Sequence, residues 1–454
     1  MLVKTAVDTS VGAARTSVYA TIRISTASIL AGVVIGLVGG GFRYLLIAAN
    51  HGRDALIAWA HAWPFIGWVA PVALGLVGAG LARYLVVRFA PHAEGSGIQL
   101  VEAVFKRQAK PSSIIVVPVK FFGGLLSMGT GLALGREGPT VQMGAALALW
   151  ISRLFIRDEE DRRIVAAAGA GAGLGVAFNA PIGGAIFVFE ELTSSFTPWL
   201  LVATLSAAVI AVWIVRWMLG NEVDFTVRQV ELTYAWKIGP FLALGALLGA
   251  AGALYNAATM RLLRLGDRLT KLSPVQRAAI VGATVGLAAW FVPALVGGGE
   301  GLTQAILSGG YTVGALVTIF LVRFLLSPWS YAAGVPGGIF APLLLLGASS
   351  GALFAGILSR AMPHLGLSAV AFAVVGMGAL FSATVRAPLT GIVLTVEMTG
   401  RGDLTLALLA ASLTAMLVAM LFQSESIYES LKRRMLERQA TAAEVAQPAP
   451  ASVR

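Results

Sequence analysis

Gly135-Arg136-Glu137-Gly138-Pro139 is the stretch on which the reading of this chain turns. It lies inside an apolar run from Phe121 to Ile151 that carries almost no other charge. An ionisable group at membrane depth costs roughly 2.5–3.5 kcal/mol on insertion scales, so such a residue marks a functional site by default. Two glycines and Pro139 stop most helices from passing straight through, and proline is best tolerated in the first turn of a new helix. A helix is therefore expected to begin here, with Glu137 over its N-terminus. That place favours negative charge, supplied either by the carboxylate or by a small anion.

The chain around this stretch is suited to lipid. Its 454 residues are 57% hydrophobic and only 12% charged, about half the charge of an ordinary soluble domain. Mean hydropathy is +0.82, and apolar runs of about 20 residues recur from Thr26 to Leu421. The fold class expected is an all-α polytopic membrane protein. With 53 glycines and 18 prolines, its helices should be tilted and broken, and broken helices are tolerated at depth only where protein buries them or they line a cavity.

Composition also excludes several function classes. Cysteine is absent, which removes disulfides, thiolate metal sites and a Cys nucleophile. His51, His61, His92 and His364 form no metal-binding spacing and read as interfacial or loop residues. No metal, no cofactor and no enzyme activity are expected. The net charge of +11 comes from basic residues that flank apolar segments, which is positive-inside bias rather than a nucleic-acid surface. Lys4, Arg15 and Arg23 precede the first span, and Lys432, Arg433, Arg434 and Arg438 follow the last. Both termini are therefore expected in the cytoplasm, and residues 1–23 carry no signal-peptide pattern.

In order, residues 1–25 read as a cytoplasmic lead-in, 26–235 as a first membrane half, 236–431 as a second half, and 432–454 as a polar, disordered tail. The halves match one another. Gly95-Ser96-Gly97-Ile98 resembles Gly299-Glu300-Gly301-Leu302, and Lys120-Phe121 resembles Arg323-Phe324. Gly135 with Pro139 and Gly144 matches Gly338 with Pro342 and Gly347. Ala180-Pro181-Ile182 with Gly184 and Glu190 matches Ala387-Pro388-Leu389 with Gly391 and Glu397. Signals recurring in one order at an offset of about 200 residues indicate internal duplication. Broken helices at equivalent places in two repeats point to a transport site. The matches alone do not decide between inverted and parallel repeats.

Each break admits two readings. Ser96, between Gly95 and Gly97, is either an N-cap or a hydroxyl donor aimed with helix N–H groups at an anion. Gly338-Ile339-Phe340-Ala341-Pro342 is either a tight helix entrance or a pair of neutral backbone donors, the N–H groups of Ile339 and Phe340. Neutral donors suit transport, because a full fixed charge would release an anion slowly. Arg136 adjoins Glu137, although adjacent helical residues point apart. Glu190 and Glu191 either emerge into cytoplasmic water or handle protons. Glu397 reads as structural, and Glu102 as buried and paired. Tyr428, just past the last span, is either an interfacial anchor or part of the site.

Together, Gly95-Ser96-Gly97-Ile98, Gly135-Arg136-Glu137-Gly138-Pro139 and Gly338-Ile339-Phe340-Ala341-Pro342 resemble the three anion-site signatures of the CLC chloride channel and transporter family. The resemblance runs from about Ser25 to Leu431. It implies two inverted repeats whose broken helices point their N-termini at chloride, and a homodimer with one pore per subunit. It implies Ser96, Tyr428 and the N–H groups of Ile339 and Phe340 as chloride ligands. Glu137 would be the external gate and proton site, and Glu191, with Glu190 beside it, the internal proton path. The first signature usually ends in Pro, where this chain has Gln99. No large cytoplasmic domain follows Tyr428, which fits a prokaryotic protein of the inner membrane. The expected activity is proton-coupled chloride antiport in a lipid bilayer, with chloride as bound substrate ion; a passive chloride channel of the same fold is the alternative. A carboxylate at 191 favours exchange.

Overall fold

The structure is a computed structural model describing residues 2–227 and 238–446, with side chains described for 20–227 and 238–441. The first half comprises α1 (Leu2–Ala60), α2 (Val69–Phe89), α3 (Ile98–Phe105), α4 (Val116–Gly129), α5 (Glu137–Phe155), α6 (Glu159–Phe178), α7 (Pro181–Phe187) and α8 (Pro198–Leu219). The second comprises α9 (Ile238–Arg268), α10 (Pro274–Phe291), α11 (Glu300–Ser308), α12 (Val313–Tyr331), α13 (Phe340–Ala361), α14 (Ala369–Val385), α15 (Pro388–Thr399) and α16 (Thr405–Leu421). A final helix, α17 (Ile427–Ala446), follows. Seven of the described helices are long and apolar enough to cross a membrane.

Equivalent helices make equivalent contacts. α1 packs on α8 as α9 packs on α16, and α5 packs on α6 as α13 packs on α14. Glycines permit the closest of these approaches: a side chain at Gly144 would strike the Gly169 carbonyl, and one at Gly347 the Gly376 carbonyl. Small residues of this kind let helices pack in lipid, where no hydrophobic drive joins them. α2 meets its counterpart α10, and α7 meets α15.

The two halves are inverted. Gly135 and Gly338, equivalent in sequence, form a reciprocal antiparallel bridge: Gly135 N donates to Gly338 O at 2.8 Å and Gly338 N to Gly135 O at 2.6 Å. Only a two-fold relation pairs equivalent residues in this way. Helix directions then set the orientation of the axis. α8, at 22 residues, is about 33 Å long and runs from the neighbourhood of Glu191 to that of Asp224. α3 ends at Lys106, which with Lys432 of α17 faces Glu191. Its counterpart α11, which ends at Ser308, carries Gln304 one turn earlier; the Gln304 amide exchanges hydrogen bonds with the Thr226 backbone beside Asp224 and donates to Ser308 Oγ. Equivalent helices thus run to opposite faces.

Two expected boundaries move. Residues 1–25 are not a separate lead-in to the first span, because α1 runs unbroken from Leu2 to Ala60. The first proline of the chain is Pro64, and the Gly39-Gly40-Gly41 run is tolerated inside the helix because Gly39 and Gly40 pack against Val176 and Met218. The expected disordered tail from 432 is helical up to Ala446. Ion pairs hold this helix: Lys432 with Glu429 and Glu102, Arg433 with Glu425, Arg434 with Asp267, and Arg438 with Glu94. Residues 447–454 lie outside the described ones.

Candidate functional site

Three chain breaks meet at the centre of the molecule, and backbone hydrogen bonds pin them together. Gly95 N donates to Val335 O and Gly337 N to Gly95 O, each at 3.1 Å, while Gly135 and Gly338 make the reciprocal bridge. The breaks feed the N-termini of α3, α5 and α13, whose leading N–H groups have no intrahelical acceptor. Two buried cations set the loops. Lys120 Nζ donates to Gly95 O at 2.6 Å and to Ser96 O at 3.0 Å. In the other half, Arg323 donates to the carbonyls of Leu295, Gly297 and Gly298. Lys120 thus fastens the carbonyls of the break before α3, and Arg323 those of the equivalent break before α11.

Ser96 is not an N-cap. Gly97, in the left-handed region at φ +84, occupies that position and frees the serine side chain. Ser96 packs on Gly138, where a Cβ would collide with its Oγ and Cα. Its Oγ is buried without a hydrogen-bond partner among the described residues. Tyr428, fully buried at the start of α17, brings its hydroxyl towards Ser96. That hydroxyl also lacks a hydrogen-bond partner among the described residues, although the ring is seated edge-on against Phe340 at 5.7 Å. A buried hydroxyl left unpaired costs about 1–3 kcal/mol, and two that converge mark a place for a polar guest. Ile339 is the N-cap of α13 and Phe340 its first residue, both fully buried.

Glu137, with no exposed surface, is the first residue of α5. Its carboxylate lies against the Gly135–Gly338 bridge and faces its own N–H and that of Ala341, and among the described residues no side chain pairs with either oxygen. Arg136 does not serve as its partner. The Arg136 Nε donates to Ala177 O at 2.8 Å, and Nη2 to Asp224 Oδ2 at 3.0 Å. Arg43 of α1 binds the other oxygen of Asp224. Nothing in the sequence singled out Asp224, which sits in a polar connector far from both partners.

Glu190 and Glu191 take different places. They lie in a π-helical turn, Val188–Leu192, that extends α7, a local winding often found at functional sites. Glu190 faces α15: its oxygens accept from Leu389 N at 3.0 Å, and from Thr390 N at 2.7 Å and Thr390 Oγ1 at 2.8 Å. Glu397 returns the arrangement, accepting from Ile182 N at 3.1 Å and Gly183 N at 2.6 Å at the start of α7. The structural reading of Glu397 thus acquires a partner. Glu191, half-buried, faces Glu102, Lys106 and Lys432. Glu102 is the paired carboxylate expected from the sequence; Lys106 and Lys432 each donate to it at 2.7 Å. Tyr428 stands within electrostatic reach of both Glu137 and Glu191. Gln99, in the place of the usual proline, leaves its side-chain oxygen buried and unpaired.

Comparison with known proteins agrees with this architecture. The family model described as voltage gated chloride channel matches residues 78–420. The H(+)/Cl(-) exchange transporter ClcA of Vibrio cholerae is 38% identical over 91% of this chain and 89% of its own length. The protein of that name from Cronobacter sakazakii is 36% identical over 90% and 89%. A solved structure, described as a slow cyanobacterial Cl-/H+ antiporter, superposes with a TM-score of 0.88 at 32% identity, covering 92% of this chain and 99% of its own. Matched in sequence over most of its length and in fold over nearly all of it, this chain belongs to the voltage-gated chloride channel family, the CLC proteins.

Proposed function

We propose that this integral membrane protein exchanges chloride for protons, with Glu137 as the gate. The observation that carries the reading is the convergence of three buried groups without hydrogen-bond partners among the described residues, Ser96 Oγ, Tyr428 Oη and the Glu137 carboxylate, where the N-termini of α3, α5 and α13 meet. Chloride is held there by the two hydroxyls and by N–H groups of Ile339 and Phe340. These are neutral donors, strong enough to replace hydration and weak enough to release the ion. The ionised Glu137 carboxylate competes with chloride for the same positive helix ends. Protonation removes that competition, so the carboxylate swings outward and chloride moves in. One residue thereby ties proton uptake to anion movement.

Protons reach the centre from the other side by way of Glu191. It sits beside the Glu102–Lys432 pair, within reach of Lys106, at the mouth of the face bearing α17. Glu190, by contrast, is engaged at a helix N-terminus and supports the turn that presents Glu191. Placement of Lys106, Arg107 and the basic residues of α17 on one face supports a cytoplasmic location for that face and for both termini, in a bacterial inner membrane. The working unit is a homodimer with one pore per subunit.

The test is flux in liposomes. Purified protein is given a chloride gradient, with the membrane potential clamped by potassium and valinomycin, while external pH is recorded. Uphill proton movement driven by chloride alone is the expected result. Chloride flux without proton movement overturns exchange in favour of a passive channel, and absence of chloride flux in folded protein overturns both.

A further inference from the structure

A carboxylate that must be displaced by an anion and then take a proton works best without a counter-ion. Arg136 adjoins Glu137 in sequence and bears electrostatically on its carboxylate. Its guanidinium is nevertheless turned away, to Ala177 O and to Asp224. Asp224 is itself held in place. It lies in the connector after α8, where Phe225 N donates to Met398 O at 2.9 Å and Glu222 O accepts from Asn179 Nδ2 at 2.8 Å. Its side chain is only 5% exposed, and it binds Arg136 with one oxygen and Arg43 with the other. These three residues line a cavity of about 190 Å³ together with Glu300, Ala341 and Met398. Ala341 is the residue whose N–H faces the Glu137 carboxylate, so the cavity lies next to the gate on its outer side.

We propose that Asp224 is a positioning residue for the exchange: by engaging Arg136 and Arg43 it withholds a counter-ion from Glu137, leaving the gate free to yield to chloride and to bind a proton. The inference rests on Glu137 being the gate. The charged and titratable groups around that carboxylate are Arg136 on its own element, Glu300 on α11 and Tyr428 on α17, with Arg43 of α1 and Asp224 of the connector behind Arg136. α13 presents only backbone N–H groups to it. Removing the Asp224 charge acts twice in one direction. A nearby negative charge is lost, and Arg136 is released to turn towards Glu137. Both changes favour the ionised gate.

The experiment is the pH dependence of chloride turnover in liposomes for the wild type, Asp224→Asn and the double variant Arg136→Gln/Asp224→Asn. An opposite charge brought within reach lowers a carboxyl midpoint by 1–3 pH units. Asp224→Asn should therefore shift the activity midpoint to acid by about one unit or more, and slow turnover near neutrality roughly tenfold. The double variant removes the adjacent cation together with its partner carboxylate, so the net charge beside the gate is that of the wild type and Arg136 is no longer there to turn; its midpoint should return to within a few tenths of a unit of wild type. A rate loss in Asp224→Asn with an unmoved midpoint means a merely structural role and overturns the proposal. Should that single variant not fold, a double-variant midpoint displaced by about a unit overturns it equally, and an unmoved one sustains it. Glu137→Gln separates this inference from the one beneath it. If that variant keeps its proton coupling, the gate assignment falls; if it loses coupling, the Asp224 result bears on Asp224 alone.

Discussion

Glu190 and Glu397 exchange places about the two-fold: each carboxylate accepts the leading N–H groups of the helical segment that carries its counterpart. Lys120 and Arg323 are a second such pair, each buried and each fastening a break through carbonyl oxygens. One residue beyond Glu190 the symmetry ends. Glu191 has Met398 as its counterpart, Ser96 has Glu300, and Glu137 has Phe340. Where the halves carry like chemistry, the polar groups bind backbone of the opposite helix or of their own break and hold the scaffold. Where they differ, the first half leaves Ser96 Oγ and both oxygens of Glu137 unpaired in the interior. A duplicated backbone supplies converging helix N-termini from both halves, and side-chain divergence turns that symmetric cradle into a path with distinct ends.

The contrast breaks most sharply at Glu137. Glu137→Gln keeps the size of the gate and removes its charge and its proton chemistry. Chloride flux should persist while coupled proton movement falls below detection. Proton movement that survives in this variant would erase the distinction drawn between Glu137 and its apolar counterpart. Glu191→Gln should come next, lowering proton movement about tenfold or more while bound chloride, measured by calorimetry, remains. Unchanged proton flux there would place the second proton group elsewhere. Ser96→Ala removes one donor from an anion. Hydrogen bonds to charged groups contribute about 1.5–3 kcal/mol, so chloride should bind at least ~10-fold more weakly. An unchanged dissociation constant would move the anion away from the serine.

Much of this was legible in the sequence because glycine, proline and an isolated charge are informative in an apolar chain. The breaks at Gly95, Gly135 and Gly338, the duplication and the isolation of Glu137 needed no knowledge of distant contacts. What stayed hidden depends on partners far along the chain. Asp224 reads as one more polar connector residue until Arg43 and Arg136 are seen to close on it. Glu190 and Glu191 are indistinguishable in a Glu-Glu pair, and only packing against α15 separates a helix cap from a free carboxylate. The helicity of α17 is hidden for the same reason, since the acidic partners Asp267, Glu94 and Glu102 that hold it lie on other elements.

The smallest expected effect tests the symmetric side of the comparison. Glu190→Gln and Glu397→Gln each keep an oxygen that can accept one N–H and lose the negative charge at a helix N-terminus. Charge at such a position contributes about 0.3–1 kcal/mol, rising to ~2 kcal/mol where partly buried, and both sites are shielded. The two variants should therefore lose similar stability, about 1 kcal/mol each by thermal unfolding in detergent, and keep the transport ratio of the wild type. Matched losses would identify the pair as one scaffold element written twice. If Glu190→Gln alone slows proton movement, beyond what its loss of stability shares with Glu397→Gln, the cap and the proton path overlap at Glu190. The division between satisfied scaffold and unsatisfied site would then fail at the residue where the two lie closest together.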